Sequence, residues 1–217
     1  MKYQTLVLGA SCSLCLSSIP SGASVFSQPW DGTSNAYASQ NDTGGSALGN
    51  FGTVYDNFEL AGNYNLTSVS WVGQYFNGTP ATITGFTIQV YADNAGAPGA
   101  SVYSTHIAGN AGETLLSGVV YSYSDTIAFS AAANTQYWLS TVPDLAFPPQ
   151  WGNVTATGGD GTMYQNFLGT LSSLPADAAF SLNGTPASVP DSAPTALFFG
   201  IAIGGLACFR RRLSPLV

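Results

Sequence analysis

Between residues 3 and 209 the chain has no lysine and no arginine; its four cationic residues are Lys2, Arg210, Arg211 and Arg212. Of the 11 acidic side chains, Asp191 lies near the C-terminus and the rest fall between Asp31 and Asp177. This middle stretch therefore cannot neutralise phosphate, which excludes nucleic acid as a partner. It also cannot make Lys or Arg salt bridges, so its stability has to come from apolar burial and hydrogen bonds. Cysteine is nearly absent. Cys12 and Cys15 sit in one apolar terminal run and Cys208 in the other, leaving nothing between them for a disulfide. The single histidine, His106, cannot supply a histidine metal cluster, and there is no Gly-x-Ser-x-Gly elbow. A Ser-His-Asp set would have to use His106, whose place at the end of a strand reads as a surface position.

The cationic residues flank apolar runs. Lys2 precedes the run from Leu6 to Leu16, Pro20 breaks it, and Ser21-Gly22-Ala23 offers the small residues a signal peptidase reads. That order predicts a secretory signal over residues 1–23, cut after Ala23. The Cys12-x-x-Cys15 pair falls inside it and takes no redox role. At the other end come Val189-Pro190-Asp191-Ser192-Ala193, an apolar stretch and Arg210-Arg211-Arg212. As a helix at about 1.5 Å per residue, 193–209 would span roughly 25 Å, a short crossing of a core of about 30 Å. The arginines would hold the tail on the cytoplasmic side.

This three-part tail, 189–217, resembles the PEP-CTERM class of bacterial sorting signals in its VPDSG variety. Val189, Pro190, Asp191 and Ser192 match the motif, and Ala193 stands where that family usually has glycine. The resemblance implies a membrane-embedded exosortase-type enzyme acting near the motif and passing the domain to the cell surface or extracellular matrix. The chain is also similar to the β-sandwich ectodomains that accompany such tails, through Tyr55-Asp56-Asn57-Phe58, Val69-Ser70-Trp71-Val72-Gly73, Tyr91-Ala92-Asp93 and Tyr137-Trp138-Leu139-Ser140. Those ectodomains bring no settled activity with them.

Residues 24–188 read as one domain with its core over about 50–184. Alternation at a period of two recurs and no long helical stripe appears before residue 193. Phe86, Ile88 and Val90 share one face; so do Val69, Trp71 and Tyr75, then Val119, Tyr121 and Tyr123, then Tyr137, Leu139 and Thr141. Further strands are expected over 53–60, 101–107, 126–129, 151–157, 162–168 and 178–182. Turns are expected at Asn77-Gly78, Asn94-Ala95-Gly96, Asp160-Gly161 and Asn183-Gly184. Eight to ten strands predict an all-β fold, a β-sandwich of jelly-roll type. Residues 24–52, rich in Ser, Asn, Gly and Thr, read as a loose arm or an irregular first strand, and 186–194 as an extended linker.

The composition favours binding or scaffolding over catalysis. Trp71, Trp138 and Trp151, with Tyr64, Tyr75 and Tyr164, offer rings suited to sugar faces. Alternation places Trp71 and Trp138 in the core. Trp151, following Phe147-Pro148-Pro149-Gln150, is expected to be exposed, so Trp151 and Tyr164 are the polysaccharide candidates. Hard oxygen ligands make calcium the one cofactor to consider, with Asp56, Glu59 and Asp160 as candidate ligands; no other cofactor is implied. Glu59 and Glu113, alone or with Asp56, are the carboxylates a glycan hydrolase would need. Five Asn-x-Ser/Thr sites begin at Asn41, Asn65, Asn77, Asn153 and Asn183, and carry meaning only where N-glycosylation operates. The leading expectation is an exported, non-catalytic surface or biofilm protein. Next come a carbohydrate-binding module and a glycan hydrolase.

Overall fold

The computed structural model describes residues 22–187 except residue 47; the expected sorting motif, the expected membrane helix, the arginine cluster and nearly all of the expected signal lie outside them. The described part is all β, with no helix long and apolar enough to cross a membrane. The strands are β1 (Ala23–Gln28), β2 (Ala36–Ala38), β3 (Gln40–Asp42), β4 (Gly49–Glu59), β5 (Tyr64–Phe76), β6 (Gly85–Asp93) and β7 (Pro98–Ala108). They continue with β8 (Thr114–Ser117), β9 (Val120–Ala131), β10 (Gln136–Leu145), β11 (Gln150–Val154), β12 (Met163–Phe167), β13 (Thr170–Leu174) and β14 (Phe180–Pro186).

Two seven-stranded sheets form. The first is organised by β5, which is 13 residues long. It pairs with β9 on one side; on the other it pairs with β14 through its first half and with β11 through its last turn of chain. The strands β1, β2 and β8 extend this sheet outward. The second sheet runs β13-β12-β4-β3-β10-β6-β7, with β4 also pairing β10 directly. Its one parallel contact is between β10 and β3.

The expected period-two faces account for the packing. Val69, Trp71 and Tyr75 from β5 and Phe86, Ile88 and Val90 from β6 are all buried in one apolar cluster. Trp71 and Phe86 meet across the gap at 4.9 Å, edge to face. Such aromatic contacts add to area burial by about 1 kcal/mol each. Among the described residues the only contact between a basic and an acidic side chain is the hydrogen bond of His106 with Asp144, so the sheets are held as the composition requires, by apolar burial and hydrogen bonds.

The expectation of eight to ten strands is too low, because the described residues form fourteen. Residues 24–52 are not a loose arm: they supply β1, β2 and β3, which borrow their hydrogen-bond partners from β14, β11 and β4. A polar segment of weak strand propensity is thus fixed by its neighbours' ladders. The short strands β8 and β13 were also unforeseen, and 126–129 is simply the continuation of β9. The turns at Asn77, Ala95-Gly96 and Gly161 do have positive φ. Asn183-Gly184, expected as a turn, is a bulge inside β14 against β5. Val119 stands exposed just before β9, while Tyr123 reaches the core.

Asp42 shows how the polar N-terminal segment is locked. Its Oδ1 accepts the backbone N–H groups of Gly44 (2.8 Å) and Phe147 (2.9 Å), and its Oδ2 that of Leu48 (3.1 Å). The Phe147 amide, followed by the other two, holds this carboxyl below the usual carboxylate range despite burial. Beside it, buried Gln40 donates to Leu145 O and Pro149 O and accepts from Trp151 N at 2.8 Å.

Candidate functional site

Because Phe86, Ile88 and Val90 point into the core, Thr87, Gln89 and Tyr91 of β6 point outward. The ladder carries this face across the second sheet. Ser140 lies opposite Gln89 and Trp138 opposite both Tyr91 and Asn57; Tyr164 lies opposite Tyr55 on one side and Ser173 on the other. The outer face is therefore a field of tyrosine, serine, threonine, asparagine and glutamine. Tyr55 and Tyr91 meet over β10 at 5.1 Å, edge to face. Small Ser140 beneath leaves room for that closure, and it is buried as a result. Tyr164 packs edge-on against Trp138 at 5.3 Å.

Trp138 is fully buried, yet it belongs to this outer layer and not to the space between the sheets. Its Nε1 donates to Asp93 Oδ1 at 2.9 Å, which fixes the indole as a floor under Tyr164. Tyr55, Tyr91 and Tyr164 are each half-buried, so each keeps an accessible edge. The Tyr91 hydroxyl donates to Gln89 Oε1 at 2.7 Å, and desolvation pushes its pKa up to about 12. Desolvation likewise raises that of Tyr55. Both therefore remain neutral hydroxyls near neutral pH. The middle of the face is uncharged; Asp93 stands at one end and Asp144, bonded to exposed His106 at 2.8 Å, at the other.

Of the two expected sugar-binding rings, only Tyr164 lies on this face. Trp151, expected to be exposed, is 0% exposed. Gln150 begins strand β11 and does not end a loop, and Trp151 turns inward opposite Tyr75. Gly73 makes this possible, since a Cβ there would collide with the Trp151 ring. Trp71 and Tyr75 are buried core residues as well, and Tyr64 packs half-buried against the core. Sequence reasoning missed Tyr55 and Tyr91. Their alternation with buried Asp56 and Val90 was the available signal.

The acidic candidates do not converge. Asp56 is 1% exposed, with Oδ1 accepting Asn57 N at 2.8 Å and Oδ2 accepting Ala178 N at 2.6 Å. The Gln28 amide, oriented with its nitrogen toward these acceptors, adds bonds to Asp56 Oδ2 (2.7 Å) and Ala178 O (2.9 Å). Asp160 accepts from Asn57 Nδ2 (2.8 Å) and Thr162 N (2.9 Å). Glu59 is exposed and lines a cleft of about 310 Å³ with Asp160, Gln28 and Gln136. Among the described residues no group of three or more His, Cys, Asp or Glu is placed to hold a metal. Burial drives the Asp56 pKa up to about 8, opposed by the Ala178 amide and reinforced by Asp177 and Asp160. A neutral acid is a poor calcium ligand.

Glu113, the remaining hydrolase candidate, is engaged elsewhere: its Oε2 accepts the hydroxyls of Tyr75 (2.6 Å) and Tyr123 (2.9 Å). No serine hydroxyl bonds to His106 among the described residues, and 54% of that side chain is exposed. A larger cleft of about 670 Å³ opens beside β2 and β11, lined by Asp31, Asn35, Tyr37, Thr155, Pro175 and Asp177. Its carboxylates are held by the chain itself. Thr155 Oγ1 donates to Asp31 Oδ2 at 2.6 Å, and Gly161 N donates to both oxygens of Asp177.

No protein family, curated protein or solved structure matches this chain.

Proposed function

We propose that this chain is an exported, non-catalytic cell-surface protein, a jelly-roll type sandwich that holds neutral polysaccharide of the extracellular matrix against the outer face of its second sheet. The supporting observation is the make-up of that face. Tyr164, Tyr55 and Tyr91 present partly accessible rings above an indole floor, and Gln89, Ser104 and Asn166 supply neutral hydrogen-bonding groups around them. Rings stack on sugar faces while amides and hydroxyls meet sugar hydroxyls. The described residues include no lysine or arginine to hold an acidic sugar, and the rim carboxylates Asp93 and Asp144 repel one.

Export and anchoring rest on the terminal sequence segments. In this proposal signal peptidase removes 1–23, the helix 193–209 holds the chain in the membrane, and an exosortase-type enzyme recognises Val189 to Ala193. A glycan array followed by calorimetry tests the reading. Neutral polysaccharide should bind with or without chelator, and Tyr164→Ala should weaken it roughly tenfold, about 1.4 kcal/mol. Tight, calcium-independent binding of an acidic polysaccharide would overturn it. Turnover of a glycan would favour the hydrolase reading instead.

A further inference from the structure

Between the sheets, a small cavity is lined by Val54, Asp56, Trp71, Leu139, Thr141, Asn153, Ala178 and Phe180. Most of the molecule's buried polar atoms are paired, but two of the lining residues each carry one that is not. Trp71 Nε1, a donor only, has no partner, and neither has Asn153 Oδ1, an acceptor. The residues are 1% and 6% exposed, so bulk water does not satisfy them. Leaving such a group dry carries its full desolvation penalty, and two beside one void would make this the least favourable spot in an otherwise well-packed core.

The space available to a water centre is about 10 Å³, close to the least that admits a single water molecule. Anything larger is excluded. The polar partners complete the requirement of two to four hydrogen bonds that buried waters meet. Trp71 donates, Asn153 accepts, and Asp56 from the opposite sheet offers a third partner. The Asn153 amide is held by its other atom, since Nδ2 donates to Thr141 Oγ1 at 2.9 Å across the gap. Reversing that amide would exchange an orphan acceptor for an orphan donor, and water serves either.

We infer that this cavity is a binding site for one ordered water, which accepts from Trp71 Nε1 and donates to Asn153 Oδ1, bridging β5 and β11 of the first sheet where they face Asp56 of the second. Its role is to satisfy a polar ring that the aromatic core would otherwise leave unpaired. The site is independent of the glycan face, which lies on the other side of the second sheet.

Oxygen-isotope magnetic relaxation dispersion on the full chain tests this, because it counts long-lived water oxygens and ignores exchanging side-chain protons. Asn153→Leu removes the acceptor and fills the void with apolar volume, so it should lower the dispersion amplitude by one water. Cross-relaxation between water and the Trp71 indole proton should disappear in the same variant. The indoles of Trp138 and Trp151, which donate to Asp93 Oδ1 and to the Tyr123 hydroxyl, serve as internal references. If Asn153→Leu does not fold, the wild-type spectrum still decides. A Trp71 indole without water cross-relaxation means a dry cavity and overturns the inference, as does an unchanged amplitude in a folded variant.

Discussion

Trp151 Nε1 donates to the Tyr123 hydroxyl at 3.0 Å, with the two rings edge to face at 5.6 Å. The same hydroxyl donates onward to Glu113, which also receives Tyr75. One carboxylate thus anchors a chain of polar tips at the end of an aromatic stack that includes Trp71 and Phe86. The rings provide apolar contact, and the ordered hydrogen bonds keep their polar ends from being buried unpaired.

Trp151→Ala should therefore destabilise the domain by about 3–5 kcal/mol, the range for emptying a large aromatic site. Urea unfolding measures it. Any loss of glycan binding in this variant should track the unfolded fraction, in contrast to Tyr164→Ala, which should leave the midpoint nearly unchanged. A stable Trp151→Ala protein with selectively lost binding would contradict the buried position.

Glu113→Ala should cost about 2–3 kcal/mol, because two largely buried tyrosine hydroxyls lose a charged acceptor. Glu113→Gln should cost less, since the amide oxygen still accepts. Equal destabilisation by the two variants would argue against the hydroxyl network. The Tyr75 and Tyr123 hydroxyls, raised well above the ordinary tyrosine range chiefly by burial, should show no phenolate absorption until the protein unfolds in alkali.

How far the sequence was legible depended on whether an element made its own signal. The stripes of β5 and β6 are long and alternate strictly, so Val69, Trp71, Phe86, Ile88 and Val90 could be placed in the core directly. Strands β1 to β3 lack that pattern; Gln40 and Asp42 are buried there because they bond to distant backbone at Leu145, Phe147 and Pro149. Trp151 was misjudged because the preceding prolines resemble a loop, while the void that receives its ring comes from Gly73, far away in sequence. Tyr164 was singled out for its aromatic character, but the rings that surround it on the outer face were not. Tyr55 and Tyr91 become neighbours only once β10 lies between β4 and β6. That is a fact of strand order, which alternation does not encode.

The C-terminal arginines offer a test that depends on sequence alone. Replacing Arg210, Arg211 and Arg212 by glutamine should impair membrane retention or invert the tail, since no other cationic residue lies near it. Protease accessibility in the producing cell reads the orientation. Ala193→Gly should leave maturation equal or faster if an exosortase-type enzyme acts there. Unchanged topology in the arginine variant would count against the anchor.

Asp56 predicts an unusual pH dependence. Its folded pKa is raised from 3.8 to about 8, first by burial. Between about pH 4 and 8 the unfolded chain has released this proton and the folded chain retains it. The folded state then binds more protons, so stability must fall as pH rises through that window and level off above it. Asp42 and Asp31 act in the opposite sense. Their folded values are lowered, so the stability they contribute is present above the ordinary carboxylate pKa and is lost only as pH falls through those lowered values. Repulsion among the remaining carboxylates adds to the decline on the alkaline side, with no lysine or arginine between residues 3 and 209 to offset it. The stability maximum should consequently lie near pH 4, well below neutrality. Urea midpoints measured from about pH 3 to 9 would show it, and Asp56→Asn, which keeps an acceptor for Ala178 N but cannot titrate, should flatten the slope between about pH 4 and 8. A slope unchanged by that substitution would show that Asp56 is ionised in the folded protein.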